Sequence, residues 1–206
     1  MKGVTETVVI NNVRIFLQDG ESNLKATATV LVNNQILLQS IRVFRDVGAE
    51  DGKSEPWVSY PVQKMNNGNF QHCMYPSNAE ARKKFNAAIL EAYHKVVAGE
   101  VDGNTVIFSD SKERPAYEIT RASIFPSGHS TQVRAKVGLE LDGEIWLRGM
   151  RMLVRENGSL FLNMPQRQMG EGERHMAYFH PVDQEARNIL TAAAMPFYEA
   201  ALPAKR

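Results

Sequence analysis

The feature that most constrains this chain is that it repeats itself. Residues 24–43 overlay residues 133–152 at a constant offset of 109. Lys25-Ala26 then meets Arg134-Ala135, Ile36 and Leu38 meet Ile145 and Leu147, and Ile41-Arg42-Val43 meets Met150-Arg151-Met152. Farther along, the offset falls to 104 or 105. Tyr60-Pro61 meets Met164-Pro165, Tyr75-Pro76 meets His180-Pro181, and Glu80-Ala81-Arg82 meets Glu185-Ala186-Arg187. Landmarks that recur in one order mark an internal duplication, in which one supersecondary module is used twice.

The module is strand-rich and ends in a helix. Val8-Val9-Ile10 and residues 13–17 read as a first strand broken at Asn11-Asn12. Leu24, Ala26, Ala28, Val30 and Val32 alternate with more polar neighbours, the period of a half-buried strand, and residues 35–44 form the next one. Between these apolar runs stand Asn33-Asn34 in the first copy and Asp142-Gly143 in the second, residue types that tolerate the positive φ of tight hairpins. Residues 56–61 are a short extended piece whose prolines suit an edge, and 70–74 are a further strand. The period then changes. Ser77-Asn78-Ala79-Glu80 has the form of a capping box with Ser77 as the cap, and Ala81, Phe85, Ala88, Ile89 and Ala92 follow at helical spacing. The second copy has a helix from about Asp183, carrying Ala186, Leu190, Ala193 and Ala194. Pro196 is expected to kink or end it, since it lacks an amide and crowds the preceding turn. The expected fold is therefore α+β. Residues 1–97 and 118–206 are the two modules, each a small antiparallel sheet followed by a helix. Residues 98–117 are a linker in which 105–108 would add an edge strand.

Charge does not name a partner. Lysine plus arginine number 24 and aspartate plus glutamate 23, for a formal net charge of +1. Binding to nucleic acid would have to come from a local patch rather than from bulk charge. A single cysteine, Cys73, rules out an internal disulfide and suits a reducing compartment. The first residues show no apolar run of a signal peptide, and no stretch approaches the roughly 18 apolar residues of a membrane span. The chain reads as cytoplasmic.

With these elements in place, the first copy resembles the SpoVG family, the bacterial stage V sporulation (septation) proteins. That family runs an I-R-V strand, an M-P-S-K-R stretch, a G-E-F-R-D-I-A-H-P segment and a terminal helix. The first copy offers Ile41-Arg42-Val43, then Tyr60-Pro61-Val62-Gln63-Lys64, then Gly68-Asn69-Phe70 leading to Tyr75-Pro76, and a helix containing Ala92-Tyr93-His94. The second offers Met150-Arg151-Met152, Met164-Pro165-Gln166-Arg167, Gly172-Glu173-Arg174 and Phe179-His180-Pro181. The resemblance implies a homodimeric α+β protein that binds DNA and RNA and adjusts gene expression. The fused pair would then pack as an intramolecular pseudo-dimer. It carries the basic positions over to Lys64, Arg167 and Arg174, while Arg42 and Arg151 match the I-R-V arginine. The second basic residue of the M-P-S-K-R stretch is missing in each copy.

Other candidates come from the residues themselves. Arg82-Lys83-Lys84 opens the first helix against the macrodipole, either as a phosphate-contacting patch near Tyr60, Phe70 or Tyr75 or as a solvated helix face. Arg187 is its counterpart in the second copy. Arg134, Lys136, Arg148, Arg151 and Arg155 would form a basic sheet face, which the reading instead neutralises by pairing with Glu140, Asp142 and Glu144 of the same hairpin. His72, His175 and His180 lack metal or acid–base spacing. Cys73 reads as a small buried side chain, and Trp57 and Trp146 as core or interface aromatics. No phosphate-cradling glycine frame occurs. The expectation is a non-enzymatic nucleic-acid-binding regulator without cofactor or metal, contacting phosphates through Lys64, Arg82, Lys83, Lys84, Arg167, Arg174 and Arg187. The alternative is a protein-interaction module that keeps the fold without nucleic-acid binding.

Overall fold

The structure, a computed structural model, describes residues 8–46, 54–65, 68–128, 132–168 and 175–202. In the first half β1 (Ile10–Leu17), β2 (Leu24–Val32) and β3 (Ile36–Phe44) form an antiparallel meander. It is followed by β4 (Trp57–Ser59), the arm β5 (Val62–Lys64) and β6 (Phe70–His72), β7 (Met74–Pro76) and helix α1 (Ala79–Val97). After β8 (Thr105–Ile107) the plan returns. It runs through β9 (Ile119–Pro126), β10 (Val133–Leu141), β11 (Ile145–Val154), β12 (Leu160–Asn163), the arm β13 (Gln166–Gln168) and β14 (His175–Ala177), β15 (Phe179–Pro181) and helix α2 (Gln184–Ala201). The protein is α+β.

The hairpin pairs do what their residue types predict. Asn33 and Asn34 both sit at φ 52°, and Asp142 and Gly143 at 53° and 65°. These are left-handed values at both central positions, matching the twist of the flanking strands. Gln35 N then donates to Val32 O, and Glu144 N to Leu141 O, each at 2.9 Å. The expected break at Asn11-Asn12 is a bulge within one continuous β1. The buried Asn11 accepts from Asn34 N through its side chain and from Phe108 N through its carbonyl. Residues 105–107 do add a strand, β8, against β1.

Two local expectations change. The first helix is capped by Asn78, whose Oδ1 accepts from Ala81 N at 2.8 Å, rather than by Ser77. Ser77 is drawn one residue early into the other half, where its amide donates to Glu144 O and its hydroxyl to Gly143 O. Asp183 caps α2 in the same way as Asn78. Pro196 does not end α2, which runs on to Ala201. Leu190, Ala194 and Tyr198 are buried on one face, and that burial outweighs the amide lost at the proline.

The halves are locked by an exchange of strands. β15 pairs with the N-terminal end of β3, with Phe179 opposite Leu38 and Pro181 opposite Ile36. β7 pairs with β11 in the matching register, with Met74 opposite Leu147 and Pro76 opposite Ile145. Each sheet thus borrows its last strand from the other half, and the bonds repeat: Gln39 N to Tyr178 O at 2.8 Å, and Arg148 N to Cys73 O at 2.7 Å. Phe179 and Met74 are both fully buried. Burial of side chains this size is worth roughly 1.5–3 kcal/mol each. Residues of both halves form one hydrophobic cluster, with α1 lying on β1, β4 and β7, and α2 on β9, β12 and β15.

Candidate nucleic-acid interface

Strand alternation builds a cationic face on the second sheet. In β10, Ala135, Val137, Leu139 and Leu141 point into the core, leaving Arg134 and Lys136 exposed on the opposite face. In β11, Ile145 and Leu147 are buried, and strict alternation would then turn Arg151 inward. A bulge at Gly149, with φ 80°, shifts the phase. Met150 and Met152 become the core residues, and Arg151 joins Arg148 on the outer face, with Lys136 directly opposite Arg151 in the ladder.

The arm β5–β6 of the first half lies over this face. Between arm and sheet is a cleft of about 860 Å³, lined by Gln63, Lys64, Met65 and Gln71 on one side and by Ser123, Phe125, Lys136, Gly138, Arg148 and Arg151 on the other. Gly138 lies in its floor, where an added Cβ would make ordinary contact with Ser123 and Arg148. Phe125 is 64% exposed at this cleft, and Phe70, at the tip of the arm, 69%.

A row of cations and rings leads away from the cleft across the exchanged strand. The Arg148 guanidinium lies 5.1 Å from the Trp146 ring centre and 5.6 Å from that of Tyr75, the residue of the other half paired with Trp146. Arg121 also approaches Trp146, at 5.5 Å. On the other side His72 meets Tyr75 at 5.4 Å, and Arg82 lies 5.5 Å from the Tyr60 ring. Such contacts hold guanidinium groups in fixed planes. Partial burial pushes the His72 pKa below its ordinary value, and the positive fields of Arg82 and Arg148 add to it. Arg82 and Arg148 thus both lie near His72, Arg82 over Tyr60 and Arg148 over Tyr75.

The expected neutralising pairs do not form. Glu140 binds Arg121 through both carboxylate oxygens and accepts from Thr120 Oγ1 at 2.8 Å, and these bonds, that to Arg121 foremost, hold its pKa below the usual carboxylate range. Glu144 pairs with Lys84 at 2.8 Å. Asp142 accepts from Glu118 N. Among the described residues, Lys64, Lys136, Arg148 and Arg151 have no carboxylate within ion-pair distance.

The anticipated site residues therefore scatter. Lys64 is exposed and lines the cleft, and Arg82 and Lys83 are exposed on α1. Lys84 is occupied, donating to Val8 O as well as to Glu144. Arg187 donates to Leu162 O at 3.0 Å. Arg167 is half-buried, its Nε enclosed with no partner among the described residues. Pairing registers explain this difference from Lys64. Position 167 matches Gln63, so the two basic residues occupy adjacent positions on opposite faces of their arms. Arg174 lies outside the described residues. Trp146 is buried, and Trp57 is 43% exposed and stacks on Phe44 at 5.7 Å. Burial drives the Cys73 thiol up to about 12, so it stays protonated. No metal-binding group of histidine, cysteine and acidic side chains occurs among the described residues, and no helix there is long and apolar enough to cross a membrane. The ion pairs expected from sequence for Arg134, Lys136, Arg148, Arg151 and Arg155 do not allow for Gly149, a glycine inside a strand, which marks a bulge and a change of face.

Comparison with known proteins covers most of the chain. The model of the SpoVG family matches it twice, over residues 8–95 and 117–200. A protein of Archaeoglobus fulgidus bearing the name "Putative septation protein SpoVG" is 34% identical over 86 residues, which is 42% of this chain and 94% of the relative. Relatives of the same name from Acetivibrio thermocellus and Clostridium beijerinckii are 32% and 34% identical. They span 46% and 45% of this chain and 97% and 94% of their own lengths. Nearly a whole relative thus fits into less than half of this protein. The chain belongs to the SpoVG family, as two copies of the family's domain in tandem.

Proposed function

We propose that this protein is a cytoplasmic regulator that binds nucleic acid in the cleft between the β5–β6 arm and the outer face of β9–β11. One observation carries the reading: Lys64, Lys136, Arg148 and Arg151 converge on one cleft with no carboxylate partner among the described residues, beside the exposed ring of Phe125. Nearby acidic groups are engaged elsewhere, so these charges have no counterion among the described residues, and a phosphate backbone would supply one. Arg82 and Lys83 extend the positive surface along α1. The family's affinity for DNA and RNA, implied by the sequence resemblance, points the same way.

The test is a salt titration with mixed-sequence DNA and RNA. Four phosphate contacts give a log–log slope of roughly −3, at 0.7–0.9 per contact. Binding that is absent at low ionic strength, or unaffected by salt, rejects the reading. Recovery of a stoichiometric protein partner without nucleic acid would favour the interaction-module alternative.

A further inference from the structure

The pseudo-twofold makes two faces of one plan, yet their residues differ. We infer that only one of them, the cleft of the second sheet, holds ligand, and that its ligand is a single strand of nucleic acid. This rests on the nucleic-acid reading above.

The register aligns the faces residue by residue. Where the cleft has Lys136, Arg148 and Trp146, the other sheet has Thr27, Gln39 and Leu37. Lys64 on the first arm corresponds to Gln168 on the second. Of the four cleft cations only Arg151 has a basic counterpart, Arg42. Among the described residues the mirror face has two other arginines, each with its Nε engaged or enclosed. Arg14 Nε donates to Thr105 Oγ1 of β8 at 3.1 Å, and the Nε of Arg167 is enclosed. The stacked set has dissolved as well, since Tyr75 becomes His180, whose ring bonds its own neighbour's carbonyl.

The shape of the cleft selects the strand form. Its roughly 860 Å³ is the volume of a small-molecule site, a size that suits a few unpaired nucleotides better than the width of a duplex. Phe125 and the fixed guanidinium of Arg148 offer flat surfaces on which unpaired bases stack, beside cations that follow a backbone.

The symmetric pair of arginines supplies the test. Arg151→Glu and Arg42→Glu are the same change at equivalent exposed positions, so effects of fold and net charge cancel between them. Binding of a fluorescent single-stranded oligonucleotide, long enough to fill one cleft, is followed by anisotropy for the intact protein and both variants. Circular dichroism checks folding. Lys136→Thr/Arg148→Gln, which copies residues the mirror sheet already carries, is the second probe. Expected are one strand per chain, a loss of about tenfold or more for Arg151→Glu and for the double variant, and a change within about twofold for Arg42→Glu. A duplex of equal length binds several-fold more weakly. Two strands per chain, or equal losses for the two arginine variants, overturns the one-face inference and leaves the nucleic-acid reading standing. Equal binding of duplex overturns the single-strand assignment. Failure of the unaltered protein to bind any nucleic acid removes the underlying reading.

Discussion

Ser40 and Gly149 occupy the same bulge in the two halves, and both adopt positive φ, 61° and 80°. The bulge is what re-phases β3 and β11 so that the core and the arginine face fall on their proper sides. Glycine adopts this backbone freely. Serine does so at a cost, and the buried Ser40 Oγ has no hydrogen-bond partner among the described residues.

Ser40→Gly should therefore stabilise the protein by about 1 kcal/mol, net of the entropy that glycine adds to the unfolded chain. Gly149→Ser should cost about 2 kcal/mol, because its Cβ would stand 3.3 Å from the Pro165 Cβ as well as adopting the left-handed backbone. Urea unfolding of both variants checks this. Opposite signs are expected for the two reciprocal changes.

Lys84 is held within the fold by two acceptors, Val8 O and the Glu144 carboxylate. Its ammonium ties α1 to the hairpin turn of the other half through Glu144. Lys84→Ala should lower stability by about 1 kcal/mol and leave nucleic-acid affinity within about twofold. A double-mutant cycle with Glu144→Gln should show that the two losses are not additive. A tenfold loss of binding with unchanged stability would return Lys84 to the contact surface.

Strand exchange predicts that cutting the connection will not part the halves. Residues 110–113 are exposed, and Lys112 among them offers a tryptic site. After limited trypsinolysis at that site, two fragments should appear on a denaturing gel while one species elutes under native conditions. β7 and β15 remain buried in each other's sheets. Two separated fragments in the native column would contradict the exchange.

Acid should loosen the junction between the linker and α2. The Asp183 pKa is held below the usual carboxylate range, first by its hydrogen bond with Arg114 and then by the amide of Ala186. A depressed folded-state value means that this stabilisation is present above the ordinary aspartate pKa and is lost as pH falls through the folded one. Asp183→Asn keeps a helix cap, as Asn78 shows in the first half, but removes the ion pair. Melting temperature followed from neutral to acid pH should fall less steeply for the variant than for the unaltered chain.

The sequence by itself determined the duplication, the α+β class, the two-residue turns and the helix faces, because these follow from spacing along the chain. Asn33-Asn34 and Asp142-Gly143 turn where they do for local steric reasons, and Phe85 and Leu190 mark helical periods that need no partner to be legible. Which sheet β7 and β15 join was decided only by the tertiary structure. Met74-Tyr75-Pro76 and Phe179-His180-Pro181 present equivalent backbones to either sheet, so no local pattern tells one choice from the other. Whether the basic residues of β10 and β11 pair within their own hairpin was likewise decided only by the tertiary structure. Glu140 and Glu144 stand close to Arg148 and Arg151 in sequence, but strand direction and the Gly149 bulge decide which charges meet. The exchange then brings the Lys64 arm of one half over Arg148 and Arg151 of the other, a proximity that arises only once both sheets have closed on a shared core.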